Sequence, residues 1–186
     1  LSGALTHGGS AGTTVASTLY ATERAEIKVF ATGGIGGVHR GGGHDISTDL
    51  LQLSRSQVVV VCSGAKAILD LPATLEVLET AGVPVIGYQT HDFPAFYSIE
   101  SGLKTPLRAD SPQEVADIAN THWKLGFRTS VLVVVPPPAE SALPREQIEE
   151  VIAGALAQAE AESVRGSAVT PYLLTKISEL SGGESL

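Results

Sequence analysis

Gln57-Val58-Val59-Val60-Val61-Cys62 constrains this chain more than any other stretch. A strand with one wet face alternates apolar and polar residues, and this run does not. It predicts a central strand covered on both sides, the habit of parallel sheets packed between helices. A second apolar run, 27–31, ends in Thr32-Gly33-Gly34-Ile35-Gly36-Gly37-Val38-His39-Arg40, and the valine run ends in Ser63-Gly64-Ala65-Lys66. Two strands thus each lead into a small-residue loop, one carrying His, Arg and Asp and the other a single Lys. Ligand sites in open α/β sheets lie beyond strand carboxyl ends, so these loops are the first place to look.

The rest of the chain alternates strand and helix. Thr13 or Thr14 caps a helix reaching 25, and Ser47 or Thr48 caps a short one through Leu50, Leu51 and Leu53. Pro72 opens a helix that Gly82 stops, and 83–88 form the next strand. Its exit loop, 89–97, is unusually aromatic. Ser111 and Pro112 start a helix to 125. A strand over 131–135 is stopped by three prolines. Residues 144–164 carry Ile148, Val151, Ile152, Ala155, Leu156 and Ala159 at helical spacing, and a last helix runs from Thr170-Pro171 to near Gly182. Residues 1–12, rich in Gly, Ser and Thr, read as a loop or as the ragged start of a fragment. The order predicts an α/β fold: a three-layer α/β/α sandwich with a mainly parallel sheet, one domain over 1–186.

Charge and cysteine content limit the function. A net charge of −8 argues against broad binding to nucleic acid or anionic membrane, while leaving room for a local cationic pocket. No apolar run is long enough to span a membrane, and no targeting segment is visible. The single cysteine, Cys62, excludes an internal disulfide; with it, the expected compartment is reducing, the cytoplasm or an organelle matrix. Within its valine strand, Cys62 reads as a buried, inert thiol.

The loop residues leave alternatives open. The glycine loop lacks the spacing of a dinucleotide fingerprint and the Gly-Lys-Ser/Thr ending of a P-loop; it serves either as a tight turn or as a ligand cradle. His39, His44 and Asp45 offer imidazole and oxygen ligands that suit Mn²⁺, or are structural. Ser47, Thr48 and Asp49 begin a helix, where free amides receive phosphate or are simply capped. Arg40 pairs with an anionic substrate or with a surface carboxylate. Lys66 is an ordinary loop lysine or a reactive amine; apolar neighbours such as Ile68 and Leu69 would lower its pKa and leave it partly neutral.

Longer motifs add a resemblance. Thr13-Thr14-Val15-Ala16, the run Ala31 to Gly41, Asp45-Ile46-Ser47, Lys66-Ala67-Ile68-Leu69-Asp70, Phe93-Pro94-Ala95-Phe96-Tyr97 and Gly182-Gly183 occur in order over nearly the whole chain. Together they resemble pseudouridine-5′-phosphate glycosidases. The resemblance implies an α/β/α enzyme, usually a homotrimer, that reversibly splits the C–C glycosidic bond of pseudouridine 5′-phosphate into uracil and ribose 5-phosphate. It implies Lys66 as the nucleophile that forms a covalent sugar adduct, Asp45 as the Mn²⁺ ligand, and Val15, Ser47, Thr48 and Asp49 as substrate contacts, with His39 lining the pocket. The 40–45 loop is about two residues shorter than is usual in that family, His44 stands where Met is common, and His91-Asp92 replaces Asp-Glu. The family's glutamate proton donor and a substrate lysine fall upstream of Leu1, and an asparagine-rich closing segment falls beyond Leu186, so the chain reads as truncated at both ends. The alternative function is a non-catalytic sugar-phosphate-binding fragment or degenerate relative; a Schiff-base sugar-phosphate aldolase is a third.

Overall fold

The computed structural model describes residues 2–8, 10, 12–40, 45–165 and 168–180. His44 and Gly182-Gly183 lie outside the described residues. In chain order the elements are α1 (Ser2–His7), α2 (Val15–Arg24), β1 (Val29–Ala31), β2 (Val38–His39), α3 (Thr48–Leu53), β3 (Val59–Cys62), β4 (Leu69–Asp70), α4 (Leu71–Thr80), β5 (Val85–Tyr88), β6 (Asp92–Phe93), β7 (Leu103–Lys104), β8 (Leu107–Ala109), α5 (Pro112–Lys124), β9 (Val131–Val134), α6 (Arg145–Ala161) and α7 (Val169–Leu180).

Five strands pair in the order β1-β3-β9-β5-β8, all of them parallel. The valine strand therefore has a neighbour on each side: Val59 pairs with Val29 on one flank and Val131 on the other. Its side chains also divide between two cores. Val58, Val60 and Cys62 join Leu132 and Val134 in the larger core, with Leu19, Leu50, Leu53, Leu78, Ile148, Ile152 and Ile177 from α2, α3, α4, α6 and α7. Val59 and Val61 face the other way with Ile86, Val131 and Val133, against Val115, Ile118, Ala119 and Trp123 of α5. Period-two geometry sends alternate valines to opposite faces, which is why the run can be apolar throughout.

The helix starts follow local chemistry. The Asp70 carboxylate accepts the Ala73 N–H at 3.0 Å and Pro72 occupies the first turn of α4. Ser111 Oγ accepts the Glu114 N–H at 3.2 Å, and Glu114 reaches back to accept the Asp110 N–H at 2.6 Å. Residues 1–12 depart from the expected loop: Ser2–His7 is a helix, one that buries none of its side chains and so leaves no apolar periodicity to read. Strand β8 was also not expected. It has two of its three residues exposed at the sheet edge and lacks the apolar run that marks a central strand.

Candidate active site

The exit loops of β1 and β3 zip together just beyond the sheet. Thr32 N–H donates to the Val61 carbonyl at 3.0 Å, Ser63 N–H to Gly33 at 2.9 Å, Ile35 N–H to Gly64 at 3.0 Å and Lys66 N–H to Ile35 at 3.1 Å. Small residues are required for this approach. A Cβ on Gly36 would run into the Ser47 hydroxyl and the Asp49 carboxylate, and Gly64 combines a φ of +88° with the Pro94 carbonyl where a Cβ would stand. The glycine loop is thus both a packed turn and a cavity wall: Gly33, Gly34 and Gly36 line the space above it.

That space is a cavity of about 680 Å³, within the range of small-molecule sites. Val15, His39, Ser47, Asp49 and Lys66 all line it. Gly33 and Lys66, distant in sequence, are brought together because β1 and β3 are adjacent and parallel, so both carboxyl ends open on the same side. Lys66 Nζ makes no hydrogen bond or ion pair among the described residues, which leaves its amine available to a ligand. Asp49 is different. It is only 3% exposed, and its two carboxylate oxygens are occupied, Oδ1 by the Ala16 N–H and Oδ2 by the Gly36 N–H, each at 2.8 Å. It fastens the start of α2 to the glycine loop. Ser47 caps α3 by accepting the Asp49 N–H at 3.2 Å.

Two of the expected residues stand apart from the cavity lining. Thr48 is exposed at the start of α3. Asp45 is 67% exposed, with Oδ2 4.0 Å from Nδ1 of His39. That pair provides one carboxylate and one imidazole; among the described residues no three His, Cys, Asp or Glu side chains converge on a common point. Asp45 and His39 are the residues that would hold a divalent ion here, with its remaining ligands supplied by water or substrate phosphate. Arg40 faces away from the cavity and pairs with a carboxylate, that of Glu149. Cys62 is 3% exposed, and burial pushes its thiol up to about 12, the inert state expected of it.

Other lining residues have no site role in the sequence reading. Phe96, with a φ of +64°, donates its N–H to the Ser63 carbonyl at 3.0 Å and lays its ring beside Gly33 and Gly34. Tyr97 braces it edge-on, with ring centroids 4.6 Å apart. The aromatic exit loop was the available signal. Thr13, Thr14 and Thr18 add hydroxyls, and Thr170 and Pro171 bring the start of α7 to the rim. Thr14 stands at the N-cap of α2 without a side-chain capping bond, so its hydroxyl is not consumed by the helix.

The family model described as indigoidine synthase A like protein matches residues 1–186. The chain belongs to this family. Among its relatives, the pseudouridine-5′-phosphate glycosidase of Caldanaerobacter subterraneus subsp. tengcongensis is 52% identical over 184 residues, covering 98% of this chain and 60% of the relative. The protein of the same name from Methylobacterium nodulans is 54% identical over 176 residues, 94% of this chain and 52% of the relative. The crystal structure of a prealnumycin C-glycosynthase in complex with ribulose 5-phosphate has a TM-score of 0.92 at 45% identity, over 98% of this chain and 61% of that one. An indigoidine synthase A-like protein from Thermotoga maritima has a TM-score of 0.84 at 37% identity, over 92% and 56%. The family resemblance drawn from the motifs is borne out, and the α/β fold, a parallel sheet with helices, is shared with these two solved structures. The chain spans about three-fifths of the length of the first of these relatives. Among the described residues no helix is long and apolar enough to cross a membrane.

Proposed function

We propose that this chain carries the lysine-bearing part of a pseudouridine-5′-phosphate glycosidase, and that Lys66 is its nucleophile. The observation that carries the reading is the Lys66 amine, unpartnered among the described residues, in the cavity above β1 and β3, in a family whose matched relatives bear that enzyme's name. The ribulose 5-phosphate bound to the C-glycosynthase relative supports a pentose phosphate as the ligand class.

The C–C bond to be cleaved has no good leaving group, and an amine supplies the missing electron sink. In the synthetic direction, neutral Lys66 Nζ adds to the C1 aldehyde of open-chain ribose 5-phosphate and water departs, leaving an imine. Once protonated, the imine carbon accepts an electron pair from C5 of uracil; the C–C bond forms and C5 then loses its proton. The sugar O4 displaces the lysine amine to close the ring. Cleavage is the reverse, with C5 of uracil taking up a proton as the bond breaks. Arginine cannot replace Lys66, because it stays protonated. His39 and Ser47 line the cavity where they can bind sugar or phosphate oxygens, and the Phe96 ring offers a flat apolar face for the base. Mn²⁺, held by Asp45 with His39, would supply positive charge toward the substrate phosphate. A homotrimeric assembly belongs to the same reading.

Borohydride reduction in the presence of ribose 5-phosphate should attach a pentose phosphate to Lys66 in the full-length protein. Lys66→Ala and Lys66→Arg should both abolish the adduct and the release of uracil while circular dichroism is unchanged. Near wild-type cleavage by Lys66→Ala would falsify the mechanism. Trapping without uracil release in the wild-type protein would favour the sugar-phosphate-binding reading.

A further inference from the structure

The guanidinium of Arg40 holds the backbone that carries Lys66. Its Nε donates to the Leu69 carbonyl at 3.1 Å and its Nη2 to the Ala67 carbonyl at 2.8 Å. The opposite edge of the fork meets Glu149 of α6, Nη1 to Oε2 and Nη2 to Oε1, both at 3.0 Å. Ala67 and Leu69 lie immediately beyond Lys66, whose own carbonyl accepts the Leu69 N–H at 3.0 Å and whose N–H is held by Ile35. The turn is therefore pinned by the glycine loop on its leading side and by Arg40 on its trailing side. Glu149 makes no contact with the turn among its described hydrogen bonds; it acts only by holding the arginine.

We propose that Arg40 and Glu149 form a positioning pair that fixes the Lys66 turn for attack on the sugar carbon. This rests on Lys66 being the nucleophile. The amine sits on a flexible four-carbon stem, so its backbone anchor is what limits the volume it samples. Arginine suits the role because two edges of one rigid plane bind two carbonyls and a carboxylate together; a lysine at this position could not bridge them. A surface depression of about 530 Å³, which meets the Lys66 cavity at Leu69 and is lined also by Arg40, Asp70, Arg145 and Glu149, exposes the pair to solvent from behind.

The test uses the full-length protein and measures kcat, KM and the rate of borohydride-trapped adduct formation. Arg40→Ala should lower kcat and the trapping rate together by about 10–100-fold, the scale of misplacing a reacting group by about an ångström, with KM nearly unchanged. Added guanidinium should enter the rear depression and restore much of both rates, whereas equal sodium chloride should not. Glu149→Gln, at a partly exposed position, should show a smaller loss of the same kind, and adding it to Arg40→Ala should cost nothing further. Should Arg40→Ala not fold, Glu149→Gln alone decides. If Lys66→Ala abolishes cleavage but Arg40→Ala and Glu149→Gln keep kcat within twofold of wild type, the positioning pair is refuted and the nucleophile stands. A fall in kcat that guanidinium leaves unmoved also overturns the proposal. Cleavage surviving Lys66→Ala removes both readings.

Discussion

Replacing Asp49 tests how the cavity is held open. The side chain is buried, and each of its oxygens accepts one backbone amide at 2.8 Å, from Ala16 and from Gly36. Hydrogen bonds to a charged group contribute about 1.5–3 kcal/mol each, so two of them set an upper figure of about 6 kcal/mol for Asp49→Ala. Two effects reduce it. Removing the carboxylate also removes the cost of burying a charge, and the adjoining cavity lets water reach the orphaned amides. The expected loss is about 3 kcal/mol for alanine. Asparagine keeps one acceptor but turns its NH₂ toward the other amide, for an expected loss of about 2 kcal/mol. Urea unfolding followed by circular dichroism, at constant m-value, reads both. Losses below about 0.5 kcal/mol for both variants would show that the carboxylate does not fasten α2 to the glycine loop.

Gly64→Ala should cost at least about 2 kcal/mol, since it forces a left-handed φ on a residue with a Cβ. The new Cβ also meets the Pro94 carbonyl, so the same variant should displace Lys66 two residues on and lose adduct trapping; a stable, active Gly64→Ala protein would contradict this. Burial raises the Cys62 thiol from about 9 to about 12, so the unfolded chain releases this proton first. The group's contribution to stability is intact below about pH 9 and declines as pH rises from there toward 12. Cys62→Ala should flatten the alkaline limb of the stability profile, and an unchanged limb would refute the assignment.

The sequence reading succeeded where side chains alone carry the signal. Ser111-Pro112 marks the start of α5 through its own hydroxyl and ring, and the uninterrupted valines report two covered faces. It also singled out Lys66, which lines the cavity, because a lone lysine after a buried strand is unusual. It offered a carboxylate as one partner for Arg40, but not which one, 109 positions away, nor the carbonyls of Ala67 and Leu69, which every residue possesses. Asp49 read as a helix-start residue, yet its decisive partners are again backbone amides, at Ala16 and Gly36. The ribbons β2–β4 and β6–β7, two residues per strand, are too short to show a period. Phe96 owes its position over the glycine loop to a left-handed backbone that a bulky residue seldom adopts, so the aromatic loop marked the residue but not its placement.

Strand β9 sits between β3 and β5 although it is made after both. During synthesis the valine strand therefore gains its β1 neighbour at once, but its other hydrogen-bonding edge has no native partner until β9 is made, about 70 residues later. At ~5–20 residues per second that interval is on the order of 4–14 s. For that time an uncharged, strongly β-forming edge stands unmatched, and β5, already made, is available beside it as a wrong neighbour. The sheet order that brings the two loops together also makes the middle of the sheet the last part to close and the part most open to pairing with another nascent copy.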